Sequence, residues 1–97
     1  MGTASISKQI IPLLKNQGVI KAAFFGSFAR GESTKRSDID ILVKFKKTVS
    51  LLDLVQLKQS LEDKIGKKID IVTYDSIHPS LRKNILGEQK IFYEKRP

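Results

Sequence analysis

The chain has 97 residues, no cysteine and a formal net charge of +8, which excludes a disulfide framework and a thiolate metal site. No apolar run approaches the roughly 20 residues that a bilayer-spanning helix needs, and Met1 to Lys8 lacks the basic start and apolar run of a secretory leader, so the expected address is the cytoplasm. With 40% apolar and 29% charged residues, the composition is that of a folded protein, and the length predicts one domain over residues 1–97 with a modest core.

Ile6, Ile10, Ile11, Leu13 and Leu14 are spaced for one face of a helix over residues 5–16. Pro12 lies inside it and predicts a kink or a late start, because proline has no backbone donor. Gly18 reads as the stop. Residues 19–25 are short, apolar and ended by Gly26, which predicts a buried strand. Residues 27–31 can form one helical turn, and residues 32–37 are polar and loop-like. A second strand is expected over 39–45, with Asp38 and Asp40 on one face and Ile39, Ile41 and Val43 on the other.

Ser50 and Asp53 form a capping-box-like start to the clearest helix. Leu51, Leu54, Val55, Leu61 and Ile65 are its expected core stripe, and Gly66 its end. Residues 68–73 predict a third strand, with Ile69 and Ile71 opposite Asp70 and Val72. Pro79 at a first helical position opens a last helix to Leu86, stopped by Gly87, and residues 90–94 suit a short edge strand. The predicted fold is α+β: a small mixed sheet of three to four strands with helices packed on it. The link between the first two strands holds too little helix for a parallel crossover.

The chemistry concentrates in Gly26-Ser27, ten further residues, then Asp38-Ile39-Asp40. Two aspartates two apart on a strand point the same way, and their like charges conflict unless a cation relieves them. Oxygen-only ligands select hard ions, Mg²⁺ or Mn²⁺. Asp70, between Ile69 and Ile71, is a third carboxylate in an apolar strand and needs a partner. If its strand lies beside the second, it joins Asp38 and Asp40, and two metals about 3.5–4 Å apart could clamp an in-line phosphoryl displacement. A glycine at a strand end lets backbone approach a ligand, and a helical turn starting at Ser27 aims N–H groups at an anion. Arg30, Lys35 and Arg36 precede the acidic motif and Lys44, Lys46 and Lys47 follow it. Carboxylates in a basic surround suit a metal and polyphosphate better than a duplex. With no recognition helix or stacking platform, direct nucleic-acid binding is not expected. His78 reads as a helix-start residue, and Tyr74 and Tyr93 as packing residues.

This Gly-Ser…Asp-x-Asp pattern, in the longer form Gly26-Ser27-x-Ala29-Arg30-Gly31…Ser37-Asp38-Ile39-Asp40-Ile41-Leu42-Val43, resembles the nucleotidyltransferase superfamily that includes DNA polymerase beta, and within it the minimal nucleotidyltransferase (MNT) antitoxins. The resemblance implies a polymerase-beta-like core and a helical HEPN-type toxin as partner. It implies transfer of AMP from ATP to a tyrosine hydroxyl of that toxin. Carried over, Asp38 and Asp40 would bind both of two Mg²⁺ ions, and Asp70 would bind the catalytic one and help activate the acceptor. Gly26 and Ser27 would hold the β- and γ-phosphates, and Arg30 would contact phosphate. The competing expectation is an antitoxin that neutralises its partner by binding alone.

Overall fold

The computed structural model describes residues 3–31 and 38–95. Helix α1 (Thr3–Asn16) leads into strand β1 (Val19–Phe25), a single turn α2 (Gly26–Ala29) and strand β2 (Ile39–Phe45). Helix α3 (Leu51–Ile65), strand β3 (Ile69–Thr73), a 3₁₀ turn (Tyr74–Ser76), helix α4 (Pro79–Glu88) and strand β4 (Lys90–Glu94) follow. The strands form one four-stranded sheet in the order β3-β2-β1-β4. β1 pairs antiparallel with β2 and β4, whereas β2 and β3 are parallel. The mixed sheet follows from the connections: the 15-residue α3 is long enough to carry the chain back for a parallel pairing.

Burial follows strand alternation. Ile39, Ile41 and Val43 join Ile6, Ile10 and Leu14 of α1 and Leu57, Leu61 and Ile65 of α3 in the main core. Ala23 and Leu42 face the other way and meet Tyr74 and Ile77. Phe24 ties three elements together, with Phe28 of α2 edge-on at 4.8 Å and Phe92 of β4 stacked at 4.3 Å between ring centroids. This pins α2 to the end of β1.

Four expectations are corrected. α1 does not start late at Pro12, but runs through it from Thr3. Ile6, Ile10 and Leu14 are fully buried, each contributing about 1.5–3 kcal/mol, which together exceeds the roughly 3 kcal/mol cost of an interior proline. In α3 the buried stripe is Leu57, Leu61 and Ile65, whereas Leu51 and Val55 are 77% and 53% exposed and line an open cleft instead of the core. α4 continues past Gly87 to Glu88. α2 starts one residue early, at Gly26.

The cap and stop signals of α3 hold. Ser50 accepts from the Asp53 N–H and Asp53 from the Ser50 N–H, both at 3.1 Å, and Gly66 ends α3 at φ +77°. The 32–37 loop, with Lys35 and Arg36, lies outside the described residues.

Candidate active site

β1 delivers Phe25 opposite Asp40 of β2, and the next residue turns the chain into α2. That residue is Gly26, at φ +71°, a backbone conformation open to glycine and strained for other residues. A side chain is excluded for a second reason: a Cβ there would lie 2.5 Å from Asp40 Oδ2. Asp40 stands in register with Asp70 across the parallel β2–β3 pair. In-register residues on neighbouring parallel strands leave the sheet on the same face, so the two carboxylates are neighbours. Asp38 lies two residues before Asp40, half-buried. Two backbone anchors hold this end of β3: Lys68 O accepts from Ile39 N–H at 3.0 Å, and Glu62 Oε2 accepts from Ile69 N–H at 2.9 Å.

The electrostatics register the crowding. Burial pushes the Asp40 carboxyl above the usual carboxylate range, and the charges of Asp70 and then Asp38 push it further, with Arg30 opposing and Glu88 adding. The structure thus brings Asp38, Asp40, Asp70 and Gly26 to one end of the sheet. It does not present them as a finished ligand set. Among the described residues no three acidic or histidine side chains are grouped to hold a metal, and Asp70 Oδ1 lies 3.8 Å from Lys58 Nζ of α3. The donor chemistry nevertheless fits a hard divalent cation: the groups are carboxylates, and the conflict at Asp40 is of the kind that a cation relieves.

Ser27 is the second residue of α2 and half-buried. Arg30 caps the turn, and its Nη1 lies 2.9 Å from Oε2 of Glu88, whose Oε1 accepts from the Gly26 N–H at 3.2 Å. Glu88 and Lys58 had no signal in the sequence. Glu88 falls beyond the expected end of α4, and Lys58 is one polar position among many on α3.

Beside Asp40 and Asp70 opens a cleft of about 540 Å³, walled by Phe25, Leu51, Leu54 and Val55 among others. Tyr74 is buried against Ala23 and Leu42, and its hydroxyl donates to Gln89 Oε1 at 2.6 Å. Tyr93 packs against the core. His78 caps α4, its Nδ1 accepting from the Ser80 N–H at 3.2 Å. All three are structural, as their sequence context suggested.

Residues 8–97 match the family model of the polymerase beta nucleotidyltransferase domain. The chain belongs to that family. Nucleotidyltransferases similar to it include a Methanocaldococcus jannaschii protein provisionally named a protein adenylyltransferase, 52% identical over 91% of this chain and 95% of its own. The protein adenylyltransferase MntA of Thermococcus cleftensis is 39% identical over 73% of this chain and 72% of its own. Among solved nucleotidyltransferase folds, one provisionally described as a minimal nucleotidyltransferase superposes with TM-score 0.80 at 34% identity, covering 93% of this chain and 95% of that one. A toxin–antitoxin structure with AMP-PNP gives TM-score 0.82 at 25% identity, covering 93% and 74%. A Shewanella oneidensis complex of a tri-AMPylated HEPN toxin with an MNT antitoxin shares the fold, with TM-score 0.76 at 22% identity, covering 95% and 72%. The minimal nucleotidyltransferase resemblance and the polymerase-beta-like α+β fold both hold. No helix among the described residues is long and apolar enough to cross a membrane.

Proposed function

We propose that this nucleotidyltransferase is a single-domain protein adenylyltransferase that moves AMP from ATP to a tyrosine hydroxyl of a HEPN-type toxin in the cytoplasm, and so acts as its antitoxin. One observation carries the reading: Asp40 and Asp70 stand in register on adjacent parallel strands while Gly26 packs against the Asp40 carboxylate. This supports reading the Gly26-Ser27 turn and the carboxylates as one site rather than two motifs.

Asp38, Asp40 and Asp70 would hold two Mg²⁺ or Mn²⁺ ions, which when bound supply charge stabilisation to the α-phosphate and to the leaving pyrophosphate. Gly26 and Ser27 bind the β- and γ-phosphates and Arg30 adds a charge-assisted contact. Asp70, at the mouth of the apolar cleft, accepts the proton of the acceptor hydroxyl. The acceptor oxygen bonds to the α-phosphorus as the bond to the β-phosphate oxygen breaks, and pyrophosphate leaves. Exposed Leu51 and Val55 beside Asp70 give the acceptor protein a surface to dock on, so the partner completes the site.

The test combines the protein with its toxin, Mg²⁺ and ATP labelled at the α-phosphate. Label should appear on a toxin tyrosine, and should vanish with Asp40→Asn. The Lys58–Asp70 ion pair favours a second reading, a non-catalytic antitoxin whose third carboxylate is structural. Toxin inhibition that survives Asp40→Asn with no label transferred would establish it.

A further inference from the structure

We infer that Glu88 is a resident anion in the phosphate cradle: its carboxylate holds Gly26 and Arg30, and an incoming polyphosphate must replace it. The inference rests on Gly26, Ser27 and Arg30 being the phosphate site of the proposed activity. Glu88 is the last residue of α4. One of its oxygens accepts from the Gly26 N–H at 3.2 Å and the other from Arg30 Nη1 at 2.9 Å. These partners are 62 and 58 residues away in the chain, so no local turn imposes the contact. A backbone N–H at a glycine plus a guanidinium is the donor pair that a phosphoryl group would take. Here a carboxylate takes it.

The two occupants exclude each other. Gly26 has a single N–H, directed at Glu88, and a phosphoryl oxygen in the same place would meet the carboxylate at contact distance with like charge. Glu88 also stands badly toward the rest of the site, since its charge adds to the negative field at Asp40. It is held against that repulsion by its two donors. The hold is breakable: the Glu88 and Arg30 side chains are 31% and 45% exposed, and a pair that wet is a modest interaction. Gly87, a poor helix former, precedes Glu88 in the last turn of α4, so the carboxylate can swing away without unseating the core. Arg30 then passes from Glu88 to the phosphate. Glu88 thereby sets the threshold for nucleotide entry.

The test measures binding rather than turnover. The protein and its Glu88→Gln and Glu88→Ala variants are titrated calorimetrically with inorganic tripolyphosphate and with ATP, each with Mg²⁺, while the Gly26 amide is followed by ¹⁵N–¹H spectroscopy. Both ligands should bind the variants about two- to fivefold more tightly, the factor expected from releasing one partly exposed ion pair. The Gly26 amide should shift in the wild type on addition of tripolyphosphate. Binding that moves Gly26 but is unchanged or weaker in both variants overturns the role of Glu88. Weaker binding with a lower melting temperature would make Glu88 a structural tie, and weaker binding with lost Mn²⁺ affinity would make it a metal ligand. Failure of tripolyphosphate and ATP to bind any of the three proteins or to move Gly26 would instead remove the phosphate cradle itself.

Discussion

The Cβ that Gly26 lacks would fall 2.5 Å from Oδ2 of Asp40, so the absence of a side chain on one strand end is what lets the carboxylate of the next strand occupy its place. Gly26→Ala must both strain a φ of +71° and displace that carboxylate. It should lower stability by about 1–3 kcal/mol and abolish nucleotide binding. Gly18→Ala is the control: φ is +82° but nothing lies within 4 Å of the added carbon. It should cost stability through strain alone and leave nucleotide affinity intact, as chemical denaturation and calorimetry would show.

Asp40 gives a pH signature. Burial first, then Asp70 and Asp38, raise its folded-state pKa above the ordinary value, so the folded protein binds this proton more readily than the unfolded chain. Its contribution to stability is therefore fully present below about pH 4, the unfolded value, and is lost as pH rises through the raised one. Asp40→Asn removes the charged form. The metal-free variant should melt a few degrees above wild type at neutral pH, with the gap closing in acid. Millimolar Mg²⁺ should raise the wild-type melting temperature and leave the variant's unmoved.

Lys58 competes with any cation for Asp70. The pair is wet on both sides, 39% and 45% exposed, so Lys58→Met should change stability by less than about 1 kcal/mol. Its effect should appear instead as tighter Mn²⁺ binding, followed by the ion's paramagnetic signal. Asp70→Asn should weaken Mn²⁺ binding.

Val55 is 53% exposed beside the cleft at Asp70. Val55→Asp should leave the fold within about 0.5 kcal/mol of wild type and ATP affinity unchanged. Transfer to the toxin should fall through a higher KM for the toxin, by about tenfold. An unchanged KM would place the acceptor elsewhere.

Much of this was legible in the residues because the governing rules are local. Strand alternation put Ile39, Ile41 and Val43 inside and Asp40 on the opposite face. The Ser50 and Asp53 cap and the Gly66 stop bounded α3. What could not be read depends on neighbours distant in the chain. Leu51 and Val55 have the spacing of a core stripe, but they wall the open cleft beside Asp70. Pro12 obeys its local penalty, yet α1 is held by Ile6, Ile10 and Leu14 against the sheet. Glu88 and Lys58 enter the site only because α4 and α3 happen to end and pass where they do. Pairwise order of the carboxylates was inferable as a condition, that β3 lie beside β2; the parallel register met it.

That register has a further consequence. The capped α3 and the anchors at Lys68 and Ile69 act as a ruler between β2 and β3. Deleting one residue between Gly66 and Ile69 would leave the helix intact and reverse the phase of the strand, sending the Asp70 carboxylate into the space that Ile69 fills. The parity of the link from Gly66 to Ile69 therefore decides which face of the sheet receives the third carboxylate.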